Sequence, residues 1–484
     1  MKHPPLDRRS FLRIMGLGAA GCLVQSQWSP RLLHAADLDD APFLIFASFD
    51  GGWDQLLALD PRHHGLFGGT SGGIQTGYDV IAASDATTDA LLSSGDGSGI
   101  VQPQDSNIAF GPAIGDLANL ASDLCVVRGL NMGTLTHEVG SLYLNTGKFP
   151  RGLQANGSSL LTSVTAQYEG LAKVVPNLSV GVRSFNEGLP SFATGLKINS
   201  HADLRAVMVA MDKIATETGK APPFELRASS ASAIDEYAWS THCSNQRLDG
   251  DGQVTEYFDS REAAVVLSSG EYFEHFNFIP NPEPTSAMGQ LYAHFGVSGA
   301  TGNITQVLEG PTGNAMVAAQ AITQGISQCV SVELASQLDH HDDDWETDHA
   351  PRLREGFNAL ERLITFLKAM PYKDGTYWDH SVLLCGSEFA RTPVINGRGG
   401  RDHHLASSCL VAGRGIRGNT VIGATDDETM GVLPVNPETG AVDETNGILI
   451  RPADVHATLL EAAGVDYGHL SNQDPVVLNA MLKA

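Results

Sequence analysis

Aspartate, glutamate and histidine residues are concentrated in a few short loops of this sequence. These loops carry Asp50 and Asp54, then Asp339, His340, His341, Asp342, Asp343, Asp344, Asp348 and His349, then Glu388, and finally Asp402, His403 and His404. Carboxylates together with imidazoles are the donor set that a divalent or paired-metal site requires. One acidic loop alone is commonly just solvated, but the recurrence of the pattern favours a metal site.

The first three of these loops begin where a short apolar run ends. The runs are Pro42–Phe49, 329–334 and 382–385, and none of them alternates regularly between polar and apolar residues. Such runs are typical of parallel strands that are buried on both faces. Because the carboxyl ends of parallel strands share one edge of the sheet, we expect the acidic and histidine loops to meet there.

Helical patterns alternate with these strands. Apolar residues spaced four and three apart predict a helix over 353–367. A second helix is predicted over Pro452–Ala463, with proline at its start and Gly464 just beyond its end. Together with strand-like runs at 124–127 and 409–412, the pattern predicts an α/β fold with a doubly wound, mostly parallel sheet.

The N-terminus predicts export. Asp7–Arg13 places two arginines before a short apolar stretch, and Ala35-Ala36 offers a cleavage site, so residues 1–36 are interpreted as a twin-arginine signal peptide. The stretch is too short to span a bilayer. We therefore expect the twin-arginine translocase as a partner and a periplasmic or extracellular location. An alternative is lipid anchoring at Cys22, which follows a degenerate lipoprotein-type sequence.

Composition limits the partners of the remaining chain, residues 37–484, which we expect to form one domain. The net charge of −25 over 484 residues disfavours nucleic acid and anionic membranes. Polar stretches at 68–107 and about 219–300 predict lid-like insertions. The strand-like runs contain Cys125, Cys329, Cys385 and Cys409. Buried free thiols are favoured there over disulfides, since a twin-arginine substrate folds in a reducing compartment.

The C-terminal half resembles a known family. Gly386–Pro393, Asn396-Gly397 and Gly400–His404 are similar to the "SEFGRTP…NG…GxDHG" signature of the domain of unknown function 1501 family, a branch of the alkaline phosphatase superfamily. Ala390 replaces the family's usual glycine. The resemblance spans roughly 42–470, and it implies an alkaline-phosphatase-type fold and a metal-dependent hydrolase of phosphate or sulfate esters.

The resemblance also implies site residues. The implied metal ligands are Asp50 or Asp54, Asp339, His341, Glu388 and His403, with His349 as an alternative to His341. The implied ions are Zn, Mn, Ca or Mg, and the implied substrate is a small-molecule or polysaccharide ester. We expect Asp339, Glu388 and His403 to converge within about 8 Å, a span suited to carboxyl groups around paired metals.

The position of the attacking nucleophile departs from the pattern of sulfatase-type relatives. Tyr143–Pro150 resembles the end of a sulfatase-type motif, and counting back places His137 at the nucleophile position with Thr136 beside it and Glu138 as its orienting partner. Arg391 is interpreted as an oxyanion clamp or as an ion-pair partner of Glu388. Because neither cysteine nor serine stands at the attack position, a non-catalytic exported binding or assembly protein remains the alternative function.

The signal assignment gives a direct prediction. Replacing both Arg8 and Arg9 with lysine should block export, because the twin-arginine translocase recognises that pair. Cell fractionation and immunoblotting of the full chain measure the effect. Undiminished periplasmic accumulation of the double variant would contradict the assignment.

Overall fold

A large mixed sheet and the helices around it hold the described part of the chain together. The computed structural model describes residues 40–168, 171, 173–208, 272–279, 281–297 and 304–483. The predicted signal peptide, Cys22 and most of the predicted insertion at 219–300 lie outside the described residues. The strands are β1 Phe43–Phe49, β2 Leu124–Asn131, β3 Asn177–Val180, β4 Leu196–Ile198, β5 Cys329–Ala335, β6 Pro371–Tyr372, β7 Gly375–Thr376, β8 Ser381–Gly386, β9 Ala390–Arg391, β10 His403–His404, β11 Ala406–Gly413 and β12 Thr420–Ile422.

The main sheet has eight strands in the order β12-β2-β11-β8-β1-β5-β3-β4. Each neighbouring pair is parallel except the pairs that β11 makes with β2 and β8, which are antiparallel. The predicted mostly parallel α/β sheet is therefore confirmed. Because β11 runs the opposite way, its amino end lies at the edge where the other strands have their carboxyl ends. β10 precedes β11 directly and reaches that same edge.

Helices cover both faces of this sheet. They are α1 His64–Phe67, α2 Tyr78–Ala82, α3 Ala86–Ser93, α4 His137–Thr146, α5 Leu160–Thr165, α6 His201–Met208, α7 Phe273–Phe276, α8 Ala287–His294, α9 Ile304–Glu309, α10 Pro311–Thr323, α11 Ala350–Ala369 and α12 Pro452–Ala463. Phe43, Ile45, Ala47 and Phe49 of β1 belong to one buried cluster with α10 and α11. Alternate residues of a strand point to opposite faces. The other side of β1, at Phe46, lies beside Leu142 and Leu144 of α4.

Two predicted helices are confirmed with their physical causes. The apolar stripe of α11 is buried, including Leu353, Phe357 and Leu360. α12 starts with Pro452 and ends at Gly464, which adopts a left-handed conformation with φ of 72°. Such a glycine closes a helix because it carries no Cβ.

The predicted insertion at 68–107 is largely fixed to the body of the protein. It contains α2 and α3, and Tyr78 is fully buried. The Tyr78 hydroxyl donates to the Leu56 carbonyl at 2.7 Å. This part of the chain is therefore packed against the core, unlike a free lid.

The four cysteines in the described residues are buried free thiols, as the sequence predicted. Burial raises the pKa of Cys125 and of Cys329 to about 12, so both stay protonated at neutral pH. In the part of the chain that the structure describes, no helix combines the length and apolar character needed to cross a bilayer.

A buried ion pair ties the loop after β1 to the segment before β10. Arg401 Nε lies 2.9 Å from Asp54 Oδ2, and both side chains are almost completely buried. The Arg401 guanidinium also donates to the carbonyls of Gln75 and Thr76 and lies over the Trp345 ring. Removing one partner would leave the other charge buried without compensation.

Arg401→Met should therefore lower the free energy of unfolding by about 3–5 kcal/mol. Urea denaturation measures this loss in the free energy of unfolding. Arg398→Met is the matched control, because the ion pair of Arg398 with Asp342 has both side chains about 60% exposed and is worth about 0–1 kcal/mol. Equal stability of the two variants would show that the buried pair does not anchor these segments.

Candidate metal centre

Three histidine side chains converge on one carboxylate oxygen. The Nε2 atoms of His137, His341 and His403 each lie 3.1 Å from Oδ1 of Asp339. His341 Nε2 and His403 Nε2 are 3.0 Å apart. Ligand atoms of His137, Asp339 and His403 all lie within 4.8 Å of one another. These four side chains are called the metal cluster below.

Separate elements deliver the metal cluster to one edge of the sheet. His137 is the first residue of α4, which follows β2. Asp339 and His341 lie in the loop after β5. His403 lies in β10, immediately before the antiparallel strand β11. The reversed direction of β11 explains how a residue that precedes a strand joins residues that follow strands.

Each histidine is held by a partner on its outer nitrogen. Nδ1 of His137 lies 2.7 Å from Glu388 Oε1, and Nδ1 of His341 lies 2.7 Å from Asp402 Oδ1. Nδ1 of His403 lies 2.5 Å from the Leu135 carbonyl oxygen. Carboxylate and carbonyl partners of this kind fix the ring orientation and the tautomer of metal-binding histidines.

These partners leave acceptor atoms facing one another. A carbonyl oxygen only accepts, so His403 carries its proton on Nδ1 and turns a lone pair on Nε2 toward Asp339. The ionised carboxylate of Asp402 imposes the same tautomer on His341, since its hydrogen bond with His341 lowers the pKa of Asp402. Nε2 of His137 is buried without a hydrogen bond of acceptable geometry. Acceptors this close repel one another unless positive charge lies among them, which either a divalent ion or a proton on His137 would supply.

The spacing also suits a metal ion. Two nitrogens bound to one zinc ion at about 2.0–2.1 Å lie roughly 3.3 Å apart in tetrahedral geometry. Each of the three Nε2 atoms lies 3.1 Å from Asp339 Oδ1, and those of His341 and His403 lie 3.0 Å apart. The residues present therefore fit a divalent ion at His137, Asp339 and His403, with His341 Nε2 beside the same carboxylate oxygen.

The charges around the metal cluster favour deprotonated ligands. Burial raises the pKa of Asp339, but the hydrogen bond and the positive charge of Arg391 outweigh burial and hold it well below its ordinary value. Burial lowers the pKa of His403. Burial also opposes protonation of His137, yet the Glu388 and Asp339 carboxylates outweigh it and raise its pKa. A proton on His137 thus competes with a metal ion, as is general for metal ligands.

The Arg391 side chain holds the metal cluster in place. It is 1% exposed. Its Nη2 donates to Asp339 Oδ1 at 2.6 Å and to the Gly51 carbonyl, its Nε donates to the Gly52 carbonyl at 3.0 Å, and its Nη1 donates to the Arg401 carbonyl at 3.1 Å. All three nitrogens are bonded inside the protein, so the geometry assigns Arg391 to positioning Asp339. Arg391 therefore forms its ion pair with Asp339, whereas the sequence suggested an ion pair with Glu388.

The loop Gly51-Gly52 fits only without side chains. Both residues have positive φ, 110° and 79°. A Cβ on Gly51 would lie 2.5 Å from the Leu338 backbone nitrogen, and one on Gly52 would lie 2.6 Å from the Phe389 ring. That ring packs against the rings of His137 and His403, with centroids 4.7 and 4.3 Å away. The two glycines thus allow the Asp339 loop and the Phe389 ring to approach β1.

A family model described as "Protein of unknown function (DUF1501)" matches residues 41–474, which include the whole metal cluster. The chain belongs to the DUF1501 family. Among curated proteins, no sequence matches it.

The remaining predicted site residues of this DUF1501 protein lie around the metal cluster. Glu388 lies behind His137, where its Oε1 also accepts from the Gly51 N–H at 2.8 Å. Asp50 lines a neighbouring cavity. Asp54 is 1% exposed and pairs with Arg401, away from the cluster. Thr136 is exposed and precedes α4 as its N-cap residue, without a side-chain capping bond.

Two alternatives from the sequence are settled by position. His349 is fully buried and its Nε2 accepts from the Asp54 N–H at 3.0 Å, so His341 is the histidine of that loop that reaches Asp339. Glu138 forms an ion pair with Arg183. The partner of His137 is therefore Glu388, and the prediction that Glu138 orients it is wrong.

The sequence did not assign Asp402, Phe389 or the Leu135 carbonyl to the DUF1501 site. Asp402 stood in the same Asp-His-His run as His403, so an acidic neighbour of a candidate ligand was the available signal. The roles of Phe389 and the Leu135 carbonyl depend on three-dimensional contact. No residue pattern indicates them.

Asp402→Asn should weaken zinc binding about 10–100-fold, because a neutral amide supports the basicity of His341 less than a carboxylate. Competition with a chromophoric chelator measures the dissociation constant. Asp342→Asn is the matched control, since Asp342 lies in the neighbouring loop and pairs with the exposed Arg398. If both variants bind zinc like the wild type, Asp402 does not support a metal ligand.

Proposed function

We propose that this protein is an exported, metal-dependent hydrolase of phosphate or sulfate esters with an alkaline-phosphatase-type fold. The observation that carries the proposal is the convergence of His137, His341 and His403 on Asp339, each with its outer nitrogen already bonded. The position of the cluster supports it too. Sites in parallel α/β sheets lie beyond the carboxyl ends of the strands.

Zinc fits best among the four ions that the sequence suggested. Three of the four donors are imidazole nitrogens, which suit zinc. Calcium and magnesium prefer sites built of oxygen ligands. When bound, such an ion supplies Lewis acidity, which polarises an ester oxygen and lowers the pKa of water.

The chain's own residues then have distinct roles. His137, His341, His403 and Asp339 hold the ion, and Glu388 and Asp402 fix two of the rings. Arg391 holds Asp339 and keeps its carboxylate ionised. Thr136 is exposed beside His137 at the start of α4. Backbone N–H groups at a helix start favour an anion, so an ester oxygen would be stabilised there and Thr136 is the candidate attacking residue.

A non-catalytic binding protein is the second candidate. Nδ1 of His137 bonds to Glu388 and its Nε2 faces Asp339, an arrangement that favours a ligand role for His137 over a nucleophile role. Arg391 is likewise bonded on every nitrogen. A protein that uses the metal only for structure would show the same cluster. Turnover separates the two candidates.

The decisive experiment combines metal reconstitution with a ligand variant. The protein, purified after export and stripped with a chelator, should regain activity on p-nitrophenyl phosphate or p-nitrophenyl sulfate with zinc more than with calcium or magnesium. His403→Ala should lose at least about 100-fold in kcat/KM, the scale of losing a positioned catalytic group. Circular dichroism checks that the variant is folded.

His380→Ala is the control, because His380 pairs with the exposed Asp374 at 3.3 Å, outside the metal cluster. It should keep wild-type activity. If the metal-loaded wild type turns over neither ester, the binding-protein function takes precedence. If His403→Ala keeps full activity, the metal cluster is not the catalytic centre.

A further inference from the structure

A closed circuit of three hydrogen bonds and one ion pair includes the loop after β5. The Asp54 N–H donates to His349 Nε2 at 3.0 Å, and Nδ1 of His349 lies 2.9 Å from Nδ1 of His340. The His340 carbonyl accepts from the Arg401 N–H at 3.1 Å. Arg401 Nε lies 2.9 Å from Asp54 Oδ2, which closes the circuit. Each of the four residues is therefore joined to two of the others.

The circuit is shielded from water. Arg401 and His349 are fully buried, Asp54 is 1% exposed and His340 is 5% exposed. A buried donor or acceptor that loses its partner cannot turn to water instead, so the loss is costly. The circuit therefore holds its members in one arrangement.

The proton on His349 has a defined position. A backbone N–H only donates, so Nε2 of His349 is an acceptor and its ring proton lies on Nδ1. That proton is donated to Nδ1 of His340, which is then the acceptor. His349 thus holds the His340 ring, while the Arg401 N–H holds the His340 backbone.

His340 stands between two members of the metal cluster. Asp339 precedes it and His341 follows it, and the side chains of these two neighbours meet at 3.1 Å in the cluster. The His340 side chain instead enters the buried circuit. Its ring therefore anchors the short backbone segment from which two cluster residues project.

We infer that His349 is a positioning residue for the metal cluster, because through His340 it fixes the backbone that carries Asp339 and His341. A histidine suits this position since its two nitrogens bond in opposite senses, one accepting and one donating. The role rests on the metal-binding part of the proposed function and requires no ester hydrolysis.

Two amide variants separate the two bonds of His349. The amide nitrogen of asparagine stands as many bonds from Cα as Nδ1 of histidine, so His349→Asn keeps a donor toward His340 and loses the acceptor for Asp54. The amide oxygen of glutamine corresponds to Nε2, so His349→Gln keeps that acceptor and loses the donor. Both variants should unfold at a lower urea concentration than the wild type, because each leaves one buried group unpaired.

Zinc affinity should distinguish these variants. Competition with a chromophoric chelator should show zinc binding at least about tenfold weaker in His349→Gln, the scale of losing support behind a metal ligand, and unchanged in His349→Asn. Equal zinc affinity in the two variants overturns the positioning role and leaves the metal cluster. A wild type that binds no zinc overturns the metal cluster itself, and the role of His349 with it.

A double-mutant cycle tests the same bond from its other end. His340→Leu removes the acceptor, so it should weaken zinc binding by the same factor as His349→Gln. The double variant should bind zinc no more weakly than either single variant, because both changes remove one shared interaction. Weakening factors that multiply would show two independent causes and overturn the role.

A measurement on the wild type covers variants that do not fold. Long-range nitrogen–proton NMR correlation spectra of the zinc-loaded protein should show His349 neutral, with its proton on Nδ1. A proton on Nε2 of His349 would leave no acceptor for the Asp54 N–H and would overturn the circuit.

Discussion

The crowding of three histidine nitrogens around one carboxylate oxygen is the constraint on which the site depends. The Nε2 atoms of three histidines each lie about 3 Å from Asp339 Oδ1, and hydrogen bonds on the outer nitrogens of His341 and His403 keep their protons away from the centre. Such an arrangement is stable only with a positive charge among the acceptors. Arg391 supplies part of it from one side, and a proton on His137 or a divalent ion supplies the rest.

The fold explains why these atoms can meet. Strands β1, β2, β5 and β8 end at one edge, and the reversed strand β11 starts there. Arg391 then connects three of the incoming segments, because it bonds the Gly51-Gly52 loop, Asp339 and the backbone before β10. The Asp54–Arg401 pair fixes the same segments from the buried side. Rigid support of this kind holds ligands in place before an ion arrives.

The sequence predicted the parts of this protein that depend on local pattern. The core strands β1, β5 and β8 and the helices α11 and α12 follow from apolar runs, helical spacing and the Pro452 and Gly464 signals. The short strands β3, β4 and β12 were missed, since three or four residues carry too little pattern. Asp339 and His341 were indicated because acids and histidines follow a core strand, and the family resemblance singled out both of them together with His403. The sequence could not show that Asp54 and Glu388 lie outside the metal cluster. A carboxylate that binds metal and one that pairs with Arg401 or His137 look alike in sequence.

The most direct test of the central claim is a crystal structure of the zinc-loaded protein with data collected on both sides of the zinc absorption edge. The account predicts one anomalous peak enclosed by His137, His341, His403 and Asp339, with the three Nε2 atoms at about 2.0–2.1 Å from the ion. A peak outside this cluster, or no peak within it in saturating zinc, would contradict it.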